Sequence, residues 1–192
     1  MSDFLTVMRS RTSDIHSQVE REISLEKHLG DLSGYRDLLL RFASIWIPVE
    51  ESIKASELRN CDTIELNRRM RSEDIRNDLT TVKSRLSDRS SGLDDLIAVT
   101  EMTMEEAVGA LYVLEGSRFG GSVILREAGH LGITPALGGK FFSGYGKETG
   151  AMWKQFTNWA DSVLAADRLE CAADGADQCF SYFLRQFQIT SS

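Results

Sequence analysis

The chain contains few residues that could cross-link it or interrupt its helices. Among 192 residues there are only 3 cysteines and 2 prolines. Cys61, Cys171 and Cys179 are widely separated and form no CxxC pair, so neither a disulfide framework nor a thiolate metal site is indicated. Because proline and alternating β-branched residues are scarce, we expect an all-α fold with little or no sheet.

Long apolar runs are also absent from the sequence. No stretch approaches the roughly 20 apolar residues of a membrane-spanning helix, and the N-terminal MSDFLTVMRSRTSD lacks the apolar core of a signal peptide. We therefore expect a cytoplasmic protein that does not enter the membrane. A length of 192 residues with 42% hydrophobic residues suits one domain with one core, here residues 1–192.

Positive charge is in deficit overall. The 22 lysines and arginines are outnumbered by 29 aspartates and glutamates, which gives a net charge of −7 at pH 7. A nucleic-acid-binding protein needs a basic surface for phosphate contacts, so this class of partner is disfavoured.

Apolar residues recur at helical spacing along most of the chain. Thr103 and Glu106 have the spacing of a capping box at the start of one long helix. The clearest predicted loop is SDRSSGLDD at 87–95. The predicted helices are 3–29, a segment through Ile75 to Leu86, 104–128, 151–166 and 175–188. A further helix is predicted after a turn-like Asp31-Leu-Ser-Gly; Pro48 could kink or end it, although the apolar pattern continues through Val49 and Ile53.

The segment ALYVLEGSRFGGSVI carries Gly116, Gly120 and Gly121 inside a predicted helix. Each interior glycine costs a helix about 1 kcal/mol relative to alanine. Two interpretations remain open for this loss. Gly116 and Gly120 could let another helix approach closely, or the glycines could expose backbone to a flat ligand.

Among the 3 histidines, His16 is the best candidate for chemistry. It flanks the helical stripe that contains Thr12, so it is expected at the edge of the interior. Glu20 lies one turn further on, where it could accept the imidazole N–H and make the other nitrogen a better metal ligand. A buried structural histidine remains the alternative. His28 and His130 are expected to lie at helix ends.

A di-iron carboxylate centre is disfavoured by the sequence. Such centres need two Glu-x-x-His motifs and two further glutamates from other helices. The chain has one copy of the motif, Glu127-x-x-His130, and Gly129 interrupts it.

Four segments in order, TSDIHSQVE, LSGYRDLLLRFASIWIPVEE, GALYVLEGSRFGGSVILRE and FFSGYGKETGAMWKQF, resemble bacterial heme oxygenases, especially those that accompany bacteriophytochromes. The resemblance extends from about Arg9 to Phe187. It implies a heme held between a proximal first helix and a distal helix at 104–128. His16 would be the proximal iron ligand and Glu20 its partner. The glycines at 116, 120 and 121 would let the distal backbone close over the heme.

The resemblance also implies the reaction. Heme would be both cofactor and substrate, opened to biliverdin with release of CO and ferrous iron. O2 would be the co-substrate, and a ferredoxin or a flavin reductase would supply electrons. A bacteriophytochrome that receives biliverdin is a further candidate partner. Ser117 and the bare backbone would give the distal side little polarity, and distal polarity influences what happens to bound oxygen.

Heme propionates require cations or hydroxyl groups at the pocket mouth. The resemblance points to Arg9 and Tyr112, with Lys154 as a third candidate. We also expect Arg9, Arg11 and Lys154 to form a basic patch for an acidic electron donor. Arg118 and Phe119 depart from the family, in which smaller or uncharged residues are frequent at these positions.

Two alternatives to a heme-degrading enzyme remain at the level of sequence. One is a non-catalytic heme carrier with the same fold. The other is a helical scaffold or a non-heme enzyme, in which His16 would be structural.

Overall fold

The computed structural model describes residues 3–87 and 101–188, and every described element is helix, turn or loop, without a strand. The predicted all-α fold is therefore confirmed. Apart from Ser87, the predicted loop at 87–95 lies outside the described residues. The α-helices are α1 (Asp3–Glu22), α2 (Leu25–His28), α3 (Leu32–Ala55), α4 (Leu66–Arg69), α5 (Ser72–Leu86), α6 (Met104–Glu127), α7 (Lys140–Ser143), α8 (Thr149–Val163) and α9 (Leu169–Gln188).

The first predicted helix, 3–29, is wrong in its extent. Helix α1 ends at Glu22, and Ser24 has a positive φ of 28°. Because a non-glycine residue at positive φ leaves the right-handed helical region, the chain turns here. The short helix α2 then begins at Leu25.

Helix α3 continues through Pro48. A proline inside a helix has no N–H for the carbonyl four residues earlier, which here belongs to Ser44. The Tyr182 hydroxyl of α9 donates a hydrogen bond to the Ser44 carbonyl oxygen at 3.0 Å. A distant helix therefore compensates for the backbone bond that Pro48 removes.

Helix α9 packs against both α1 and α6. At the crossing with α6 the two backbones are in direct contact. A Cβ built on Gly109 would lie 1.8 Å from the Ala172 carbonyl oxygen, and one built on Gly175 would lie 2.3 Å from the Glu106 carbonyl oxygen. These two glycines allow the close crossing. Burial of Leu169, Ala172 and Ala173 also explains why α9 begins before the predicted residue 175.

Helix N-termini are capped both locally and across the fold. The predicted capping box of Thr103 and Glu106 is present at α6. Glu50, buried on α3, accepts hydrogen bonds from the backbone N–H groups of Arg71 (2.6 Å) and Ser72 (2.8 Å) at the start of α5. Asp78 of α5 similarly accepts from the first N–H groups of α7. No described helix has the length and apolar character needed to cross a membrane.

Candidate functional site

A cavity of about 960 Å³ lies between α1 and α6, and α3, α7, α8 and α9 complete its walls. Its inner end is mostly aromatic, whereas its α1 side carries the polar groups. The residues that line it on α1 and at the start of α2 are Arg9, Thr12, Ser13, His16, Ser17, Val19, Glu20, Ile23 and Leu25. The lining on α6 includes Tyr112, Val113, Gly116, Ser117, Arg118, Phe119, Gly120, Gly121, Val123 and Ile124. The inner aromatic residues are Phe42, Trp46, Phe141, Phe142, Trp153, Phe180 and Phe183.

His16 lies in the α1 wall of this cavity. Its ring centroid is 5.3 Å from that of Phe180, which supports one side of the imidazole. Its Nε2 atom is 3.5 Å from Glu20 Oε1, and 52% of the His16 side chain is exposed. Sequence spacing therefore correctly placed His16 beside Glu20 at the edge of the interior. The imidazole is accessible, so it is not a residue enclosed by the core.

Thr12, Arg9 and Tyr112 meet at one side of the cavity. The buried Thr12 hydroxyl donates to the Met8 carbonyl oxygen at 2.8 Å, and exposed Arg9 lies three residues before it on α1. Burial raises the pKa of Tyr112 on α6, while hydrogen bonding with Thr12 and the charge of Arg9 act in the opposite direction. Tyr112 is consequently a neutral phenol at physiological pH and can donate a hydrogen bond.

The glycines of α6 have different surroundings. A Cβ on Gly120 would meet nothing within 4 Å, and one on Gly116 would meet only the Trp153 ring, at 3.6 Å. Within residues 3–87 and 101–188 no helix backbone approaches these two positions, so the helix-packing interpretation of Gly116 and Gly120 is wrong. Gly121 differs, because its Cβ would lie 2.9 Å from the Phe142 carbonyl oxygen. It lines the cavity and also admits α7.

Several other predicted residues have their polar groups engaged elsewhere or lie outside the cavity lining. The Ser117 hydroxyl donates to the Leu114 carbonyl oxygen at 2.8 Å, so it is occupied within its own helix. Lys154 is exposed and is absent from the described cavity lining, although its neighbour Trp153 belongs to it. Arg11 forms ion pairs with Glu170 and Asp174 of α9, which neutralise part of the predicted basic patch.

A buried charged cluster, which the sequence analysis missed, joins α6 to α4 and to the loop after α7. We call Arg69, Glu115, Arg118 and Tyr145 the Glu115 cluster. Glu115 Oε2 is 2.9 Å from Arg69 Nη1, and Oε1 accepts from the Tyr145 hydroxyl at 2.8 Å and from Arg118 Nε at 3.1 Å. The charge of Glu115 within the apolar run ALYVLEG was the available signal, because an unpaired charge would be costly there.

Metal-ligand geometry elsewhere is weak in the described parts of the chain. They contain no group of three or more His, Cys, Asp or Glu side chains suited to a metal ion. His130 Nδ1 lies 2.7 Å from the Glu127 carbonyl oxygen, which confirms its placement at the end of α6. Glu127 pairs with Arg126. Neither residue of the Glu-x-x-His motif lines the cavity.

The fold and the cavity define a class of protein: a helical protein with one large, mostly aromatic-lined cavity between an imidazole-bearing helix and a glycine-bearing helix in its described part. The family model for heme oxygenase matches residues 2–189. The chain therefore belongs to the heme oxygenase family, whose activity is the oxidative cleavage of heme to biliverdin with release of CO and ferrous iron. It is thus a heme-binding enzyme.

A structural comparison agrees with this assignment. A crystal structure of NO- and CO-bound heme oxygenase from Neisseria meningitidis matches with a TM-score of 0.81 at 20% sequence identity. The match covers 100% of this chain and 95% of the other. At this identity the likeness establishes the shared fold. Comparison with curated protein sequences found no match.

The residues present fit a bound heme. The cavity volume of about 960 Å³ is at the upper end of the usual range for ligand sites, about 300–1,000 Å³. Aromatic side chains at the inner end suit an apolar macrocycle, while the arginine at position 9 and the phenol at position 112 suit its carboxylates. Gly120 leaves open space above the α6 backbone.

Proposed function

We propose that His16 would hold the heme iron, with α1 as the proximal and α6 as the distal helix. The observation that carries this proposal is that His16 is the only histidine among the described residues lining the cavity. When bound, heme supplies the iron that activates O2 and the macrocycle that is cleaved. The protein supplies binding, orientation and exclusion of water.

Glu20 orients the imidazole. Its carboxylate faces one ring nitrogen at 3.5 Å, so it can accept that N–H and leave the lone pair of the other nitrogen for the iron. A carboxylate acceptor also makes the imidazole a more basic ligand. Phe180 limits rotation of the ring through its contact with the imidazole.

Arg9 and Tyr112 bind the propionates. Their proximity supports this role, since the charge of Arg9 influences the pKa of Tyr112. An arginine and a neutral phenol provide charge-assisted and ordinary hydrogen bonds to a carboxylate. Exposed Lys154 is proposed as a longer-range contact at the mouth.

We propose that the distal side has few polar groups available to a ligand. Gly116, Gly120 and Gly121 bring backbone toward the ligand, and the Ser117 hydroxyl is engaged by the Leu114 carbonyl. Arg118 is held in the Glu115 cluster. The segment 116–121 therefore offers no acidic side chain to the cavity, and a heme held there would supply the oxygen chemistry beside bare backbone rather than beside a proton-donating side chain.

Electron transfer and product use belong to the same proposal. A ferredoxin or a flavin reductase donates the electrons, and the exposed cations Arg9 and Lys154 contribute positive charge to its contact. Arg11 contributes less positive charge, since it is paired with two carboxylates. We further propose a cytoplasmic location and delivery of biliverdin to a bacteriophytochrome.

The test is an optical titration with hemin of the wild type, His16→Ala and His130→Ala, followed by ascorbate and catalase in air. We expect one heme per chain for the wild type and for His130→Ala, with decay to a biliverdin spectrum. His16→Ala should lose the wild-type Soret band and most turnover. An unchanged Soret band in His16→Ala would reject it as the iron ligand, and a wild-type heme complex that persists both with ascorbate and with a reduced ferredoxin would favour a carrier.

A further inference from the structure

The middle of α6 has little packing on the side that faces the cavity. Gly120 has open space at its Cβ position, and Gly116 is approached only by the Trp153 ring. Glycines provide no side-chain contacts that would fix this part of the helix, so support must come from the side chains of neighbouring residues. Glu115 immediately precedes this segment and Arg118 lies within it, and both belong to the buried Glu115 cluster.

The cluster binds α6 to two other elements through Arg69. Arg69 is 0% exposed, and besides Glu115 it donates to the Ile64 carbonyl at 2.9 Å and to Gln155 Oε1 at 3.1 Å. It also reaches the Met152 carbonyl at 3.4 Å. Met152 and Gln155 flank Trp153 on α8. The cluster therefore fixes α6 at Gly116 relative to the Trp153 ring of α8, which lies beside that glycine.

Tyr145 provides the neutral hydrogen bond of the cluster. It lies between Gly144 and Gly146, whose φ angles of 53° and 57° favour glycine. The guanidinium carbons of Arg71 and Arg118 lie 4.6 and 4.5 Å from the centroid of its ring, and its hydroxyl donates to Glu115 Oε1 at 2.8 Å. The glycine-flanked loop thus places a phenol where it can fix the Glu115 carboxylate.

Arg118 also hydrogen-bonds to the backbone of Arg69, the other arginine of the cluster. Its Nη2 donates to the Arg69 carbonyl oxygen at 2.6 Å, and its side-chain carbons pack beside Gly144. Glu115 and Arg118 are one turn apart on α6, so the two residues hold the stretch between them at both ends. That stretch consists of Gly116 and Ser117.

We propose that Tyr145, acting through Glu115, is a positioning residue that fixes the distal glycine segment of α6 relative to the bound heme. This inference rests on the proposed function in that it takes the 116–121 segment as the distal side. Loss of the Tyr145 hydroxyl leaves the Glu115 carboxylate with only its arginine partners. The segment then samples several positions above the ligand.

The test compares Tyr145→Phe with Tyr182→Phe. Each variant removes one tyrosine hydroxyl that donates a single hydrogen bond, but the Tyr182 bond goes to the Ser44 carbonyl, away from the cavity. The first measurement is amide hydrogen exchange of residues 115–121 in the heme-free protein. The second is the C–O stretching band of the ferrous CO complex, which responds to the surroundings of the bound diatomic ligand.

We expect Tyr145→Phe to exchange about tenfold faster at 115–121 and to broaden or shift the C–O band, as one lost hydrogen bond permits. Tyr182→Phe should keep the wild-type C–O band, and any faster exchange should be spread evenly over the buried helices rather than concentrated at 115–121, because this variant lowers only the global stability. Arg118→Lys, which removes the Nε donor, should change both in the same direction as Tyr145→Phe. Wild-type exchange and a wild-type C–O band in Tyr145→Phe would overturn the inference.

The two proposals can fail separately. If the wild type forms no histidine-ligated heme complex, the proposed site is wrong, while hydrogen exchange in the heme-free protein still decides whether Tyr145 positions the segment. If the wild type binds heme and both Tyr145→Phe measurements equal the wild type, only the positioning inference is lost.

Discussion

Gly121 lies directly against the Phe142 backbone, because a Cβ built on Gly121 would stand 2.9 Å from the Phe142 carbonyl oxygen. Gly120, its immediate neighbour, has nothing within 4 Å of the same position. These two adjacent glycines of α6 therefore have different structural roles. Gly121 permits the approach of α7, and Gly120 leaves space beside the cavity.

Alanine substitution at each glycine should show these different roles as different effects on stability and on hemin binding. Gly121→Ala is expected to destabilise the heme-free protein by about 1–3 kcal/mol, because a backbone carbonyl cannot give way easily. Gly120→Ala should stabilise it by about 0.5–1 kcal/mol through helix propensity, while the methyl group weakens hemin binding. Urea unfolding and hemin titration would measure both. Equal stabilities of the two variants would contradict the packing difference.

Arg69→Met should be strongly destabilising. Arg69 and Glu115 are 0% and 1% exposed in their side chains, so the change leaves Glu115 with Arg118 and Tyr145 but without its closest cationic partner. Removal of one member of a buried ion pair typically costs about 3–5 kcal/mol. Arg68→Met, on the exposed neighbour whose side chain is 51% accessible, is the matched control and should change stability little. Similar unfolding midpoints for the two variants would refute this prediction.

The proline in α3 gives a third prediction. Tyr182→Phe removes the donor to the Ser44 carbonyl, which Pro48 cannot satisfy. We expect a loss of about 1–3 kcal/mol in the free energy of unfolding. In the background of Pro48→Ala the helical N–H returns, so the effect of Tyr182→Phe should shrink. A double-mutant cycle by urea unfolding would measure this coupling, and additive effects would exclude it.

The cysteines should differ in reactivity. Burial raises the pKa of the Cys179 thiol to about 12, whereas Cys171 is exposed. The thiolate is the reactive form, so Cys179 should resist alkylation at pH 8 in the folded protein. Raising the pH toward 12 favours its ionisation and destabilises the fold, because the unfolded thiol has already lost its proton. Peptide mass spectrometry after timed alkylation would detect early modification of Cys179, which would contradict the burial.

Features that depend on neighbouring residues in the chain were predictable from sequence. The capping box of Thr103 and Glu106 and the His16–Glu20 pair are set by helical spacing, and both are present. Helix periodicity likewise located α3, α5 and α6 to within a few residues where a pattern of polar and apolar residues existed. The break at Ser24 was missed because periodicity continues across it, although the backbone does not.

Contacts between distant residues needed the tertiary structure. Three contacts join residues far apart in sequence. Glu50 caps the start of α5, Tyr182 donates to the Ser44 carbonyl, and Arg11 pairs with two carboxylates of α9. Local propensity carries no information on such pairs, since either partner alone would be satisfied by water. The predicted basic patch overlooked the carboxylates that α9 brings to Arg11.

The sequence by itself determined that this protein is helical, where its long helices run, and that a histidine and a group of glycines are the unusual features. It could not distinguish a glycine that admits another backbone from one that leaves space, because both have the same local cost. The crossings of α6 with α9 and α7 decided that distinction, assigning close approach to Gly109 and Gly121 and open space to Gly120. Helix packing, which is non-local, therefore shaped the cavity between α1 and α6.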